Sequence, residues 1–392
     1  MHFTMGIDQE RLVADFMTLV SIGSPSRDEA HVAAYIRGVV EELGFTVEED
    51  GAADDVQGNS GNLIVRVPGT NERQSTILLM AHMDTVSPGY GIQPIRLNDR
   101  ITSDGKTILG ADDKAAIAGL LHMLRILRMT KEPHPALEIV FTVSEEAGLL
   151  GAKALQRESL ASSYGFVFDS AGPLGFIVTE GPAQAKLQAI VNGRAAHAGI
   201  APEKGINAIT IAANAISRMH LGRVDEYTTA NVGRIAGGFA TNIVCDRVEI
   251  NAEVRSLHDE GLQRERLAMS ASLEQAAQDI GGTVDLHWID SYPAFTLPAD
   301  SFLRSVVVNA MEHIDISPIF GATGGGSDAN IIAGKGIPVA NLALGYQQNH
   351  TLEEWISLHD LMKGAELMLE IVRECQKLEC AYPTPGALGQ FA

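Results

Sequence analysis

The apolar positions change period along the chain. Residues 77–80 and 137–143 form short, almost unbroken apolar runs, and 166–168 forms a third. Such runs predict strands buried on both faces, as in the parallel part of a sheet. Between the first two, the Ala, Leu and Ile residues of 115–127 recur at helical spacing. Strand and helix in alternation predict a sheet covered by helices on both faces. In such sheets ligands gather beyond the carboxyl ends of the strands.

Near Gly181-Pro182 the pattern shifts. Residues 183–191 read as a strand ending at Asn192-Gly193, 205–219 as a helix and 229–235 as a strand. Residues 247–255 alternate cleanly, 260–280 read as a helix after an Asp259 cap, and 283–289 as a last strand. The order β-α-β-β-α-β is that of a ferredoxin-like sandwich. A helix at 302–314 and a strand at 337–344 then resume the first pattern. The expected fold class is therefore α/β: a mixed sheet with helices on both faces (1–180 and 297–392), interrupted by an inserted ferredoxin-like α+β domain (181–296). The tail from Tyr382 reads as loose.

Composition narrows the partners. The 392 residues are 45% hydrophobic and 20% charged, which suits a globular protein and excludes collagen, coiled coil and general disorder. No apolar run approaches the roughly 20 residues of a membrane span, and residues 1–26 lack the pattern of a secretory signal. With 29 basic and 49 acidic residues the net charge is −20. Nucleic acid and anionic membrane are thus poor partners, while carboxylates abound for cations. Cys245, Cys375 and Cys380 form no Cys-x-x-Cys pair. They read as reduced thiols of a cytoplasmic protein, with neither a disulfide framework nor a thiolate zinc site.

Acidic and histidine residues recur where strands end: His82 and Asp84, Asp112-Asp113, Glu145-Glu146, Asp169, and His350 after the strand at 337–344. Each has a plain alternative: a hydrogen-bonded His-x-Asp pair, a solvated acidic turn, a helix cap. Together they are harder to dismiss, because a carboxylate beside an apolar strand needs a partner to offset its desolvation. Histidine and carboxylate without cysteine suit zinc, manganese or cobalt.

These motifs resemble the di-metal exopeptidase and deacylase family that includes peptidase T, glutamate carboxypeptidase and aminoacylase. Residues 109–115 (Leu-Gly-Ala-Asp-Asp-Lys-Ala), 196–199 (Ala-His-Ala-Gly) and 324–330 (Gly-Gly-Gly-Ser-Asp-Ala-Asn) look most like the peptidase T branch. The resemblance implies two divalent metal ions, zinc first, with Asp112 shared between them. His82 and Asp169 would complete one site, and Glu146 and His350 the other. Asp84 would hold the tautomer of His82, Glu145 would be the general base, and the peptide after Asp112 would be cis. The inserted domain would act as a lid or dimerisation domain, and its His197 would stabilise the oxyanion, in cis or across a homodimer. Gln348 and Asn349 are less bulky than the resemblance leads one to expect.

Three further places suit the substrate. Arg255 ends an alternating strand and could clamp a carboxylate. Asn242 resembles a family contact to substrate or oxyanion. Gly325, Gly326 and Ser327 could form a nest of N–H groups for a carboxylate. They do not make a phosphate loop, since no Gly-Lys-Ser/Thr follows. The expected activity is hydrolysis of amide bonds in small peptides, in the manner of an aminotripeptidase. The alternatives are a deacylase or carboxypeptidase acting on N-acyl amino acids and, from another class, a non-catalytic metal-binding protein.

Overall fold

The computed structural model describes residues 6–70 and 75–379. Cys380 and the tail from Tyr382 lie outside them. The chain forms two compact units. Of the described residues, one comprises 6–70, 75–179, 297–322 and 327–379, and the other 180–296 together with 323–326.

The first unit is built on a mixed sheet. Its strands run in the order Thr46–Glu49, Leu63–Val67, Leu137–Thr142, Ile77–His82, Tyr164–Val167, Val339–Leu342 and Phe176–Gly181. The central four are parallel to one another, and the flanking ones pair antiparallel with their neighbours. The parallel strands are the ones with unbroken apolar runs. Every residue of Ile77–His82 and Leu137–Thr142 is buried, as a strand covered on both faces requires.

The helix Ala111–Thr130 is buried along most of its length. Gln9–Ser21 and Leu358–Glu379 pack on it, and Phe302–His313 packs on the latter. A helix apolar all round belongs inside such a layer. Its first residues are irregular: Asp112 and Asp113 have non-helical angles, and the peptide between them is cis. A small three-stranded sheet, Trp355–Ser357, Arg100–Thr102 and Ile95–Arg96, closes this unit.

The second unit is an antiparallel sheet in the order Thr228–Gly237, Arg247–Ser256, Ala183–Asn192, Thr283–Tyr292. Two helices, Ala208–Arg218 and Asp259–Ile280, pack on it and on each other. With strand order 2-3-1-4 this is the ferredoxin-like arrangement. Arg247–Ser256 buries Val248, Ile250, Ala252 and Val254 and turns the intervening residues outward, which fixes its register. Two expectations shift by a few residues. His258, not Asp259, is the cap residue of the long helix, and the helix expected from 205 starts at Ala208, capped by the Asn207 side chain. Among the described residues no helix is long and apolar enough to cross a membrane. Cys245 and Cys375 are buried and not disulfide-bonded.

Candidate active site

Strand ends bring the acidic and histidine residues of the first unit together. His82 closes Ile77–His82, Asp169 follows Tyr164–Val167, and Glu145-Glu146 follow Leu137–Thr142. Ligand atoms of His82, Asp112 and Asp169 lie within 4.8 Å of one another, and so do those of Asp112, Glu146 and His350. The set His82, Glu145 and Glu146 meets the same limit. His359 is apart from these groups and pairs with Asp360.

The imidazole of His82 defines what the cluster can hold. Its Nδ1 is 2.9 Å from the backbone carbonyl of Asp84 and therefore carries the hydrogen. Its Nε2 lone pair then faces Oδ1 of Asp112 at 3.1 Å. Two acceptors at that distance are stable only with a proton or a metal cation between them. Burial opposes a charge on His82, but hydrogen bonds to Asp112 and Asp84 outweigh it and raise its pKa well above the ordinary value. Burial pushes Asp169 up to about 8. Burial, then the charge of Asp169, raises Glu145 well above the usual carboxylate range. His350 is raised to about 10 by hydrogen bonds to Asp112 and Glu146; its Nε2 is 2.8 Å from Oε1 of Glu146. So many carboxylates in one buried place call for cations, and the oxygen and imidazole donors fit divalent ones.

Asp84 does more than orient His82. Its carboxylate is 3.5 Å from Nδ1, farther than its own backbone carbonyl. The two oxygens instead accept the N–H groups of Glu145 at 2.8 Å and Glu146 at 3.1 Å, and the Ser26 hydroxyl at 2.5 Å. One buried side chain thus holds the main chain of both adjacent acidic residues. Glu29 braces the residue before them, accepting the N–H and hydroxyl of Ser144 at 2.9 and 3.0 Å. Asn349 donates to Oδ2 of Asp112 at 2.9 Å, and Glu354 accepts backbone N–H groups of the Asp112 loop. Sequence reasoning misses Ser26, Glu29 and Glu354. The available signal for Glu354 is an acid placed directly before the short run Trp355-Ile356.

The second unit holds His197 and Asn242 on adjoining loops. His197 bridges to Ile243, and the Ala198 N–H donates to the Asn242 carbonyl at 2.9 Å. Nδ1 of His197 accepts the N–H groups of Gly199 and Ile200, both at 3.2 Å. The hydrogen of the ring is then on Nε2, and the exposed side chain is a ready donor. Arg255 is partly committed. Its Nε and Nη2 donate to Glu253 at 3.0 and 3.4 Å, and Nη1 to the Gly324 carbonyl at 3.2 Å. Of its five N–H groups, two remain for a ligand.

The glycine loop has partners of its own. The Gly325 N–H bonds to Thr323 Oγ1 and the Ser327 N–H to Asn330 Oδ1. Ser327 is the capping-box residue of Asp328–Gly334, and a Cβ on Gly326 would lie 2.3 Å from the Tyr292 ring. These residues are needed for chain packing and capping, so two of the N–H groups expected to greet a carboxylate are already used.

Residues 78–374 match the model of peptidase family M20/M25/M40. The chain belongs to that family and is a hydrolase. It is 43% identical to the uncharacterized protein YqjE of Bacillus subtilis, over 95% of this chain and all of that one. It is 25% identical to peptidase T of Listeria monocytogenes over the same shares. Among solved structures, the aminopeptidase PepT of Bacillus cereus is 46% identical with a TM-score of 0.88, covering 94% of this chain and 99% of that one. A tripeptidase of Staphylococcus aureus is 37% identical with a TM-score of 0.91, covering 95% of this chain and all of that one.

Proposed function

We propose that this hydrolase is an aminopeptidase of small peptides, tripeptides among them, which works with two divalent cations. Asp112 would be shared; His82 and Asp169 would complete one site, and Glu146 and His350 the other. The observation that carries this is the meeting of those five side chains, with the His82 lone pair turned on Asp112. The aminopeptidase and tripeptidase named above support the substrate class.

When bound, the cations would supply acidity to a water molecule and polarise the scissile carbonyl. Glu145 takes a proton from the attacking water as its oxygen bonds to the carbonyl carbon. It returns that proton to the leaving amine as the C–N bond breaks. Asp84 holds the main chain of Glu145 and Glu146 in place through their two N–H groups. His197 donates from Nε2 to the developing oxyanion. Arg255 offers its two uncommitted N–H groups to a substrate carboxylate.

The second unit also suits pairing between two copies. Beyond Gly222–Arg223 the outer edge of Thr228–Gly237 has no partner strand among the described residues. Near it in sequence, Phe239 is 99% exposed and Ile235 and Ile243 are each half exposed. An unpaired edge with apolar side chains is a template for a second chain. In such a dimer His197 would serve the partner's centre. Mixing the inactive variants His197→Ala and Glu145→Gln would then restore activity in up to about half of the dimers formed by free exchange. No recovery despite proven exchange, or a monomer at assay concentration, rules the trans arrangement out.

The substrate reading is tested with free, N-acetylated and N-succinylated di- and tripeptides, assayed with zinc, manganese and cobalt. Turnover of free tripeptides, and metal analysis giving two cations per chain, is the expected result. Turnover of N-acyl substrates alone would replace the aminopeptidase reading with the deacylase one.

A further inference from the structure

Glu354 lies four residues after His350 and is almost wholly buried, 1% exposed. Its carboxylate reaches across more than 240 residues of sequence to the loop that presents Asp112. Oε2 accepts the N–H groups of Leu109 at 2.8 Å and Gly110 at 2.7 Å, and Oε1 accepts that of Asp112 at 3.1 Å. Gly110 is in the left-handed region at φ +76°, so the loop takes a shape that the chain does not adopt by default. The same segment is fastened at its other end. Gln347 and Trp355 exchange backbone hydrogen bonds at 2.8 and 3.1 Å, closing the loop that carries Asn349 and His350. Thr102 donates its hydroxyl to the Glu354 carbonyl at 3.3 Å.

Holding a loop does not in general require a charge; an amide or hydroxyl can do it at lower desolvation cost. Here an acidic side chain sits in a buried region that already holds several others. What distinguishes a carboxylate is capacity, since its two oxygens can gather three N–H groups at once. Those bonds offset part of its burial, which still lifts its pKa to about 7, and they draw the N–H groups of 109, 110 and 112 to one point.

We propose that Glu354 is a positioning residue for Asp112, holding 109–112 in ligand-ready shape before any cation arrives and tying that loop to the one bearing His350. This rests on the reading of Asp112 as a metal ligand. Pre-shaped ligands lower the cost of binding, and loss of groups that orient ligands typically weakens metal affinity by about 10–100-fold.

Two experiments test it. In Glu354→Gln the amide keeps one acceptor oxygen and turns an NH2 against a backbone N–H. Metal-depleted Glu354→Gln should bind zinc about 10–100-fold more weakly by calorimetry. Its kcat should fall while KM stays within about twofold, and Glu354→Asp should recover part of both losses. In wild-type protein, amide hydrogen exchange at Leu109, Gly110 and Asp112 should remain slow after chelation. Wild-type zinc affinity in Glu354→Gln would overturn the proposal. So would loss of protection at the three amides on chelation, which would mean that the cations hold the loop; this result decides alone if Glu354→Gln does not fold. If Asp112→Ala still binds two cations, the metal assignment fails, and the exchange result still judges the clamp.

Discussion

The acidic cluster of the first unit and the His197 loops of the second solve opposite problems. In the first, His82, Asp112 and Glu145 are buried, and Asp112 and Glu145 are fixed by atoms from distant parts of the chain. In the second, His197 is exposed and its ring is oriented by the N–H groups of Gly199 and Ile200, two and three residues away. Crowding like charges in an apolar place is costly, so every orienting bond there has a strong effect on whether the site exists. A donor on an exposed loop has only to face the right way. Substitutions in the cluster should therefore disturb cations and chemistry together or separately according to which atom is lost, whereas those in the second unit should leave cation binding alone.

Glu145→Gln should give the largest loss. With the geometry kept but the base gone, kcat should drop by about 10²–10⁴ while metal analysis still finds two cations. Glu146→Ala should lose metal instead. Equal metal loss in both variants would break the assignment of separate roles to these neighbours. His197→Ala should lower kcat by about 10²–10³, the scale of a lost oxyanion donor, with unchanged metal content. A change in zinc affinity in this variant would end the contrast between the two regions.

Asp84→Asn is expected to cost less, about 10–100-fold in activity or metal affinity. The amide can accept only on one side, so one of the N–H groups of Glu145 and Glu146 loses its acceptor. An unaffected variant would show that the main-chain carbonyl of Asp84 is the part that matters. The smallest effect belongs to Arg255→Ala. Peptides with a free carboxylate should lose about 1.5–3 kcal/mol of binding, and their amides should be spared. Equal loss for acid and amide would give Arg255 to the packing of Glu253 and the Gly324 carbonyl.

What the sequence reveals follows from how local the cause is. The buried parallel strands are legible because each is an apolar run, and Arg247–Ser256 because its alternation matches its burial. The helices Gln9–Ser21 and Ala30–Glu42 also bury residues at helical spacing, such as Leu12, Phe16 and Leu19. His82, Glu146, Asp169 and His350 stand out as acids and histidines behind apolar strands, whereas Asp112, expected at a strand end, lies in the first turn of Ala111–Thr130. The tasks of Asp84 and Glu354 do not stand out. Asp84 accepts from backbone 61 and 62 residues away, and backbone N–H groups carry no mark in a sequence. Gly326 is ambiguous for the same reason: glycine beside a ring that excludes a Cβ looks, in sequence, like glycine kept open for a ligand.

That loop also bears on how separable the second unit is. Residues 323–326 belong to it although they arrive long after the main segment. The Thr323 N–H bonds to the Glu180 carbonyl at 3.0 Å, and Gly324 receives Arg255. Recombination that exchanged residues 180–296 between related genes would therefore transplant a module with one staple left behind in the host. A successful swap would have to carry the short second segment too, or find a recipient whose own four residues include a glycine at position 326.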